Sequence, residues 1–233
     1  ISSIIKIGLV SNFSSHLAWQ GNTKVVYFFM PSKFYTFVIM SSKYKKMTRL
    51  AIYASGSGTN AGNIIRYFKN HPEISVRVVL CNNPDAYVIQ RAKRLEMPCI
   101  VFPNEELEDT MDILNEYEID YIILAGFLQK VPKKIVDVYR GRIINIHPAL
   151  IPSQYGGKGM YGMRVHNAVI AAGEKESGIT IHLVDEIYDH GENIFQIRCA
   201  VKPDDTPEDL ASRIHCLEQL YFPRVIESYI KSM

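Results

Sequence analysis

From Met47 onward, short apolar runs alternate with stretches whose apolar residues recur at helical spacing. TRLAIYA, at 48–54, reads as a short strand that runs into glycines, and AGNIIRYFKNH behind it repeats Ile64, Ile65 and Phe68 with the period of a helix. VRVVLCNN predicts a second strand and AYVIQRAKRLE a second helix. PCIVFP predicts a third strand, EELEDTMDILNEYEI an acidic helix, and DYIILAGF a fourth strand that is almost wholly apolar. Strands of this kind, spaced by helices, form a parallel sheet covered on both faces. RIINIHP is the fifth strand, after which the pattern changes. RVHNAVIAAGE predicts a helix, SGITIHLVDEIYDHGENIFQIRCAVKP two long antiparallel strands joined at 189–192, and 206–233 a closing amphipathic helix with a Thr-Pro start. The expected fold class is α/β: a Rossmann-like open twisted sheet, mostly parallel with antiparallel C-terminal strands, and helices on both faces.

Two places interrupt this pattern with residues that can do chemistry. In RIINIHP, Asn145 and His147 stand two apart and so project from one face near the carboxyl end of their strand, which Pro148 ends. The crevice beyond the carboxyl ends of such strands is where open α/β sheets bind ligands. The pair reads either as an amide donor beside a titratable imidazole in an active site, or as a satisfied polar pair at a strand end. Gly56, Ser57, Gly58, Thr59 and Asn60 lie between the first strand and the first helix, where backbone N–H groups and the helix dipole favour an anion. With Ala61 they match G-x-G-x-x-A, but the second strand ends in Cys81, Asn82 and Asn83, with no acid to hold a dinucleotide's ribose. A phosphate monoester suits the loop better. A tight turn that needs glycine and no ligand is the alternative.

Composition matters most at the N-terminus. The 233 residues are 47% hydrophobic and 21% charged, ordinary for a soluble protein of one or two domains. The net charge of +2 conceals an asymmetry: residues 1–46 hold six lysines, no arginine and no acid, while 47–233 hold 20 basic and 24 acidic side chains. The run VVYFFMPSKFYTFVIM is broken by Pro31 and Lys33, and neither half reaches the roughly 20 residues of a membrane span. We expect 1–46 to be upstream-translated sequence or an expression remnant and 47–233 to be a single catalytic domain; a targeting or anchoring segment is the competing reading. Cys81, Cys99, Cys199 and Cys216 are scattered without C-x-x-C spacing, which argues against disulfides and a thiolate metal site and for a reducing cytoplasm. No metal is expected from the histidines either. His182 is expected to pack on its strand, and His71 and His190 to be solvated.

LAGF at 124–127, NIHPALIP at 145–152, SGSGTN at 55–60 and HLVDEIYDHG at 182–191 together resemble the phosphoribosylglycinamide formyltransferases, folate-dependent enzymes of purine biosynthesis. The resemblance covers essentially all of 47–233. It implies transfer of a formyl group from the cosubstrate 10-formyltetrahydrofolate to the amine of glycinamide ribonucleotide, with no metal. It further implies that Asn145, His147 and Asp189 are catalytic, that Gly58, Thr59 and Asn60 hold the phosphate, and that Glu218, in HCLEQLYFP, bonds the ribose hydroxyls. Leu128, Gln129, Lys130 and Val131 would line the folate pocket. The partners implied are these two small molecules, with no nucleic acid and no membrane, and the protein is expected to be a monomer or weak homodimer. Two features depart from the family pattern. The family's usual arginine before the fourth strand has no equivalent in PNEELEDTMDI, and the loop SQYGGKGMYGMRVH is longer and richer in glycine than in many members, which leaves the place of His166 open.

The chemistry has its own logic. An amine that attacks a formyl carbon passes through a tetrahedral intermediate with a developing oxyanion and an ammonium. Asn145 is a neutral donor for that oxyanion. His147, with an ordinary pKa of about 6.5, can donate a proton near neutral pH, and a carboxylate such as Asp189 within reach would raise that pKa. A transfer-RNA formyltransferase would need an added nucleic-acid-binding domain, and a deformylase of the same fold would put water in place of the amine. A non-catalytic nucleotide-binding module would use the glycine loop and the sheet, but has no need of Asn145, His147 and Asp189 together.

Overall fold

The computed structural model describes residues 5–10, 13–20, 23–30, 33–37 and 47–233. The chain divides into two compact units, Ile1–Lys46 and Met47–Met233. In the first, β1 (Ile5–Val10), β2 (Phe13–Gln20), β3 (Thr23–Met30) and β4 (Lys33–Phe37) form one antiparallel sheet in sequence order. The expected end of the N-terminal extension falls in 38–46, outside the described residues.

In the second unit β5 (Thr48–Ala54), β6 (Ile74–Cys81), β7 (Cys99–Val101), β8 (Tyr121–Leu124) and β9 (Ile143–His147) are parallel. Next to β9, β10 (Glu176–Leu183) and β11 (Asn193–Ala200) run antiparallel, so the order across the sheet is β11-β10-β9-β8-β5-β6-β7. The chain leaves β5 toward one edge and returns to β8 on the other side, so the loops after β5 and β8 diverge at a switch point and open a crevice there.

Six helices cover the faces: α1 (Thr59–Phe68), α2 (Tyr87–Arg94), α3 (Thr110–Glu116), α4 (Lys133–Val138), α5 (Met163–Ala171) and α6 (Pro207–Ser232). The alternation of β5 decides what they pack on. Leu50, Ile52 and Ala54 join Ile64 and Phe68 of α1, Val165 of α5 and Phe222 of α6, while Ala51 and Tyr53 join Leu114 of α3 and Ile135 of α4.

Three expectations need correction. The acidic helix is broken: Asn104–Glu106 is one 3-10 turn, and the hydroxyl of Thr110 donates to the Leu107 carbonyl at 2.6 Å, fixing a bend that buries Leu107 and Met111. Helix α4 adds an element between the fourth and fifth strands that the sequence pattern does not announce, because its six residues are too few to show a period. The connection between β10 and β11 runs over 184–192 rather than 189–192.

The closing helix starts as its sequence predicts, with Thr206 and Asp209 exchanging side-chain-to-backbone bonds in a capping box and Pro207 at the first position. Pro223 lies inside this helix and has no N–H for the Gln219 carbonyl one turn back. Asn63 of α1 supplies the missing donor at 2.7 Å, so the gap in α6 becomes a bond to α1.

Candidate active site

Asn145 and His147 share a face of β9, and the register of β10 sets Thr180 opposite His147 and His182 opposite Asn145. All four side chains therefore stand on one side of the sheet, while Ile144, Ile146, Ile179 and Ile181 fill the core on the other. Thr180 donates to the Ala149 carbonyl at 2.7 Å and accepts from the Ile151 N–H, which pins the chain as it leaves β9.

Two contacts fix the orientation of the amide and the imidazoles. His182 Nδ1 lies 2.7 Å from the Leu183 carbonyl, which can only accept, so neutral His182 has its proton on Nδ1 and offers Nε2 as an acceptor. The Asn145 amide donates to that nitrogen at 3.1 Å and has a longer contact, 3.4 Å, with Asp189. His147 Nε2 is 2.6 Å from the Tyr155 carbonyl, so it too must carry hydrogen, and the lone pair of neutral His147 is on Nδ1, 3.4 Å from the Asp189 carboxylate.

Asp189 arrives on the 184–192 connection with φ at +52°, a left-handed conformation that Asp tolerates better than most residues. The Gly157 N–H donates to its carboxylate at 2.8 Å. Gly191, two residues on, passes so near the Leu183 carbonyl that a Cβ there would come within 2.0 Å of the oxygen.

Burial pushes the Asp189 carboxyl up, but the His182 and His147 rings in their charged forms and the Gly157 N–H outweigh it and hold the group below the usual carboxylate range. For His147 the balance runs against the expectation. Burial pulls its pKa down, and Asp189 and the Tyr155 carbonyl, which push it up, do not reverse this. At neutral pH His147 is thus held mainly in its neutral form.

Beyond β5, Gly58 is the N-cap of α1 with φ at +68°, and a Cβ on it would meet Val88 of α2 at 2.3 Å. The glycine is required by the turn itself, yet the loop also opens on the cavity. The Asn60 side chain does not point freely at a ligand: it donates to Glu218 at 3.0 Å and accepts from Gln219 at 2.7 Å, so only its main chain is available to an anion. Glu218 also faces His215 Nδ1 at 3.1 Å and raises the pKa of that ring.

After β8, the Ser55 N–H donates to the Gly126 carbonyl and the Leu128 N–H to Ser55 Oγ, which ties 125–128 to the first strand of the crevice. Leu128, Gln129 and Lys130 follow along its wall, and Val131 turns into the core while still lining the cavity. The cavity holds about 910 Å³, toward the upper end of the range for small-molecule sites. Every residue assigned a site role in the sequence lines it, together with Lys158, Arg164, His166 and His182. The segment 103–120 contributes nothing to its lining.

Sequence reasoning missed the place of His182, which does lie on its strand but faces into the site, 2% exposed. The alternation Ile179, Thr180, Ile181, His182 was the available signal; the pairing partner of the strand was not. His71 is not solvated either, since its Nδ1 accepts from the backbone N–H groups of Glu73 and Ile74 and its ring packs on Phe68. His190 is exposed and pairs with Asp185.

Residues 48–226 match the family model described as Formyl transferase. Phosphoribosylglycinamide formyltransferase of Bacillus subtilis (strain 168) is 32% identical over 192 residues, which cover 79% of this chain and 95% of that protein. The chloroplastic phosphoribosylglycinamide formyltransferase of Vigna unguiculata is 38% identical over 190 residues, 77% of this chain but 60% of its own length, so this chain spans about three-fifths of that relative. The solved structure of phosphoribosylglycinamide formyltransferase from Coxiella burnetii has a TM-score of 0.70 at 36% identity, covering 78% of this chain and 86% of that one. With a matching sheet, one span of sequence and this degree of identity, the chain belongs to the formyl transferase family, among the phosphoribosylglycinamide formyltransferases.

Proposed function

We propose that residues 47–233 transfer the formyl group of 10-formyltetrahydrofolate to the amine of glycinamide ribonucleotide, and that residues 1–46 take no part in the reaction. The observation that carries this reading is the meeting of the Asn145 amide, the lone-pair nitrogen of His147 and the Asp189 carboxylate in the cavity that the glycine loop also lines. The first-turn N–H groups of α1 at Gly58, Thr59 and Asn60 take the phosphate, Glu218 takes the ribose, and Leu128, Gln129, Lys130 and Val131 take the folate.

In the reaction the neutral amine forms a bond to the formyl carbon while the carbonyl electron pair moves to oxygen. Asn145 gives that oxyanion the N–H whose contact with Asp189 is long. The proton of the new ammonium passes to Nδ1 of His147, because Nε2 keeps its own proton on the Tyr155 carbonyl. Collapse restores the carbonyl, breaks the bond to the folate nitrogen, and returns the proton to that nitrogen. His147 acts first as base, then as acid. The lowered pKa of its buried ring suits the first step, and Asp189 stabilises the imidazolium in between.

The cysteines lack the spacing of a disulfide framework, and we place the enzyme in the cytoplasm as a monomer or weak homodimer acting on small molecules alone. Among the described residues no helix is long and apolar enough to cross a membrane. The test is to follow tetrahydrofolate release from 10-formyltetrahydrofolate with and without glycinamide ribonucleotide. Release that depends on the ribonucleotide is expected; release of formate without it would make the protein a deformylase.

A further inference from the structure

His166 sits in the first turns of α5, 5% exposed, on the lining of the cavity. Its Nδ1 is sealed from solvent without a hydrogen-bond partner, and among the described residues nothing bonds to its other nitrogen. A buried polar group without a partner is costly and needs an explanation. A proton on the sealed nitrogen would have nowhere to go, so the favoured tautomer carries it on Nε2, the nitrogen left to the cavity. The ring lines the same cavity as Glu218, the residue proposed for the ribose, and His147, the residue proposed for proton transfer, and it feels both electrostatically.

Resting on the function proposed above, we infer that His166 is a specificity-determining residue that reads the amide of glycinamide ribonucleotide, its Nε2–H donating to the amide carbonyl oxygen. Between the ribose and the reacting amine that molecule has only an amide and one methylene. Of the side chains that line the cavity with Glu218 and His147, His166 is a buried one with an unpartnered nitrogen and no bond of its own, and it has the donor such a carbonyl needs. A ring fixed by burial also distinguishes a carbonyl at that place from a methylene, because a phosphoribosyl compound without the amide would leave the donor unpaired.

Calorimetric titration of the full chain with glycinamide ribonucleotide and, separately, with ribose 5-phosphate tests this. His166→Gln sets an amide N–H near the place of Nε2, whereas His166→Asn sets one near Nδ1 and leaves the outer place empty. His166→Asn is expected to weaken glycinamide ribonucleotide about five- to tenfold. His166→Gln should stay within about threefold of the unmodified chain, and ribose 5-phosphate should bind all three alike. Loss of ribose 5-phosphate affinity in parallel, or equal effects of Asn and Gln, would overturn the inference. A chain that binds the ribonucleotide with this pattern but transfers no formyl group would instead overturn the proposed function and leave the role of His166 standing.

Discussion

At the scale of the residue, His147 lies between two oxygen groups of different kinds. The Tyr155 carbonyl cannot titrate and fixes one nitrogen; Asp189 faces the other across 3.4 Å. Removing the oxyanion donor or the proton carrier should be severe: Asn145→Ala and His147→Ala are each expected to lower kcat by about 10²–10³-fold. Folate affinity, measured by titration with a non-reactive folate, should hardly change. Asp189→Asn separates charge from shape, since Asn tolerates the left-handed backbone and can still accept from Gly157. Asp189 pushes the His147 pKa up against burial, so without it burial acts with less opposition and the pKa falls. The step needs neutral His147, hence the acidic limb of the rate profile should move to lower pH. An unmoved limb would reduce Asp189 to a tether for the loop.

The glycine loop offers a second contrast between neighbours. A side chain on Gly58 would collide with Val88, so its replacement reports on folding as much as on the ligand. Gly56 has nothing within 4 Å of a would-be Cβ and lines the cavity. Gly56→Val is therefore expected to keep the melting temperature while raising KM for the ribonucleotide more than KM for the folate. Equal effects on both would deny the loop its part in binding phosphate.

At the scale of the element, two ties bring the site together. The bond from Asn63 to the Gln219 carbonyl repairs the break at Pro223 and sets α6 against α1 where Glu218 meets Asn60. Asn63→Ala leaves that carbonyl without its donor, a loss of about 1–3 kcal/mol. For a domain of this size that lowers the melting temperature by roughly 2–4 °C per kcal/mol. Calorimetry should find the drop, with KM for the ribonucleotide raised as well; an unchanged melting temperature would mean that the gap in α6 needs no repair. The second tie is Tyr155, whose carbonyl holds His147 while its hydroxyl donates to Glu174 at 2.6 Å.

The elements themselves are largely legible in the sequence. The parallel strands are apolar on both faces, and Thr206, Pro207 and Asp209 spell the start of α6. Asn145 and His147 are legible as a pair because parity along one strand is a local property. His182 and the unpaired nitrogen of His166 are not, because both depend on which strand or helix lies across from them. The 3-10 turn before α3 depends likewise on Thr110 reaching Leu107, a contact that no periodicity announces.

At the scale of the whole molecule, residues 47–233 carry more acids than bases, whereas the cavity lining balances them, with Lys130, Lys158 and Arg164 against Asp185, Asp189 and Glu218. The two proposed substrates are both anionic, and these three cations are the lining groups that can meet their charge. The family match covers 48–226, and the chain beyond Met47 forms a compact unit with its own core. A chain beginning at Met47 is therefore expected to turn over at the rate of the full one, and a large loss of active protein on removing 1–46 would contradict the division of labour proposed for the two units.

A formyl group is proposed to pass between two small molecules at Asn145, His147 and Asp189. Supplying 10-formyltetrahydrofolate labelled with carbon-13 at the formyl carbon, and following the label by NMR in the presence of glycinamide ribonucleotide, measures that passage directly. The label is expected to appear as an amide on the ribonucleotide, and Asn145→Ala to slow its appearance by about 10²-fold or more with both substrates saturating. Label released as formate, or an unchanged rate in Asn145→Ala, would contradict it.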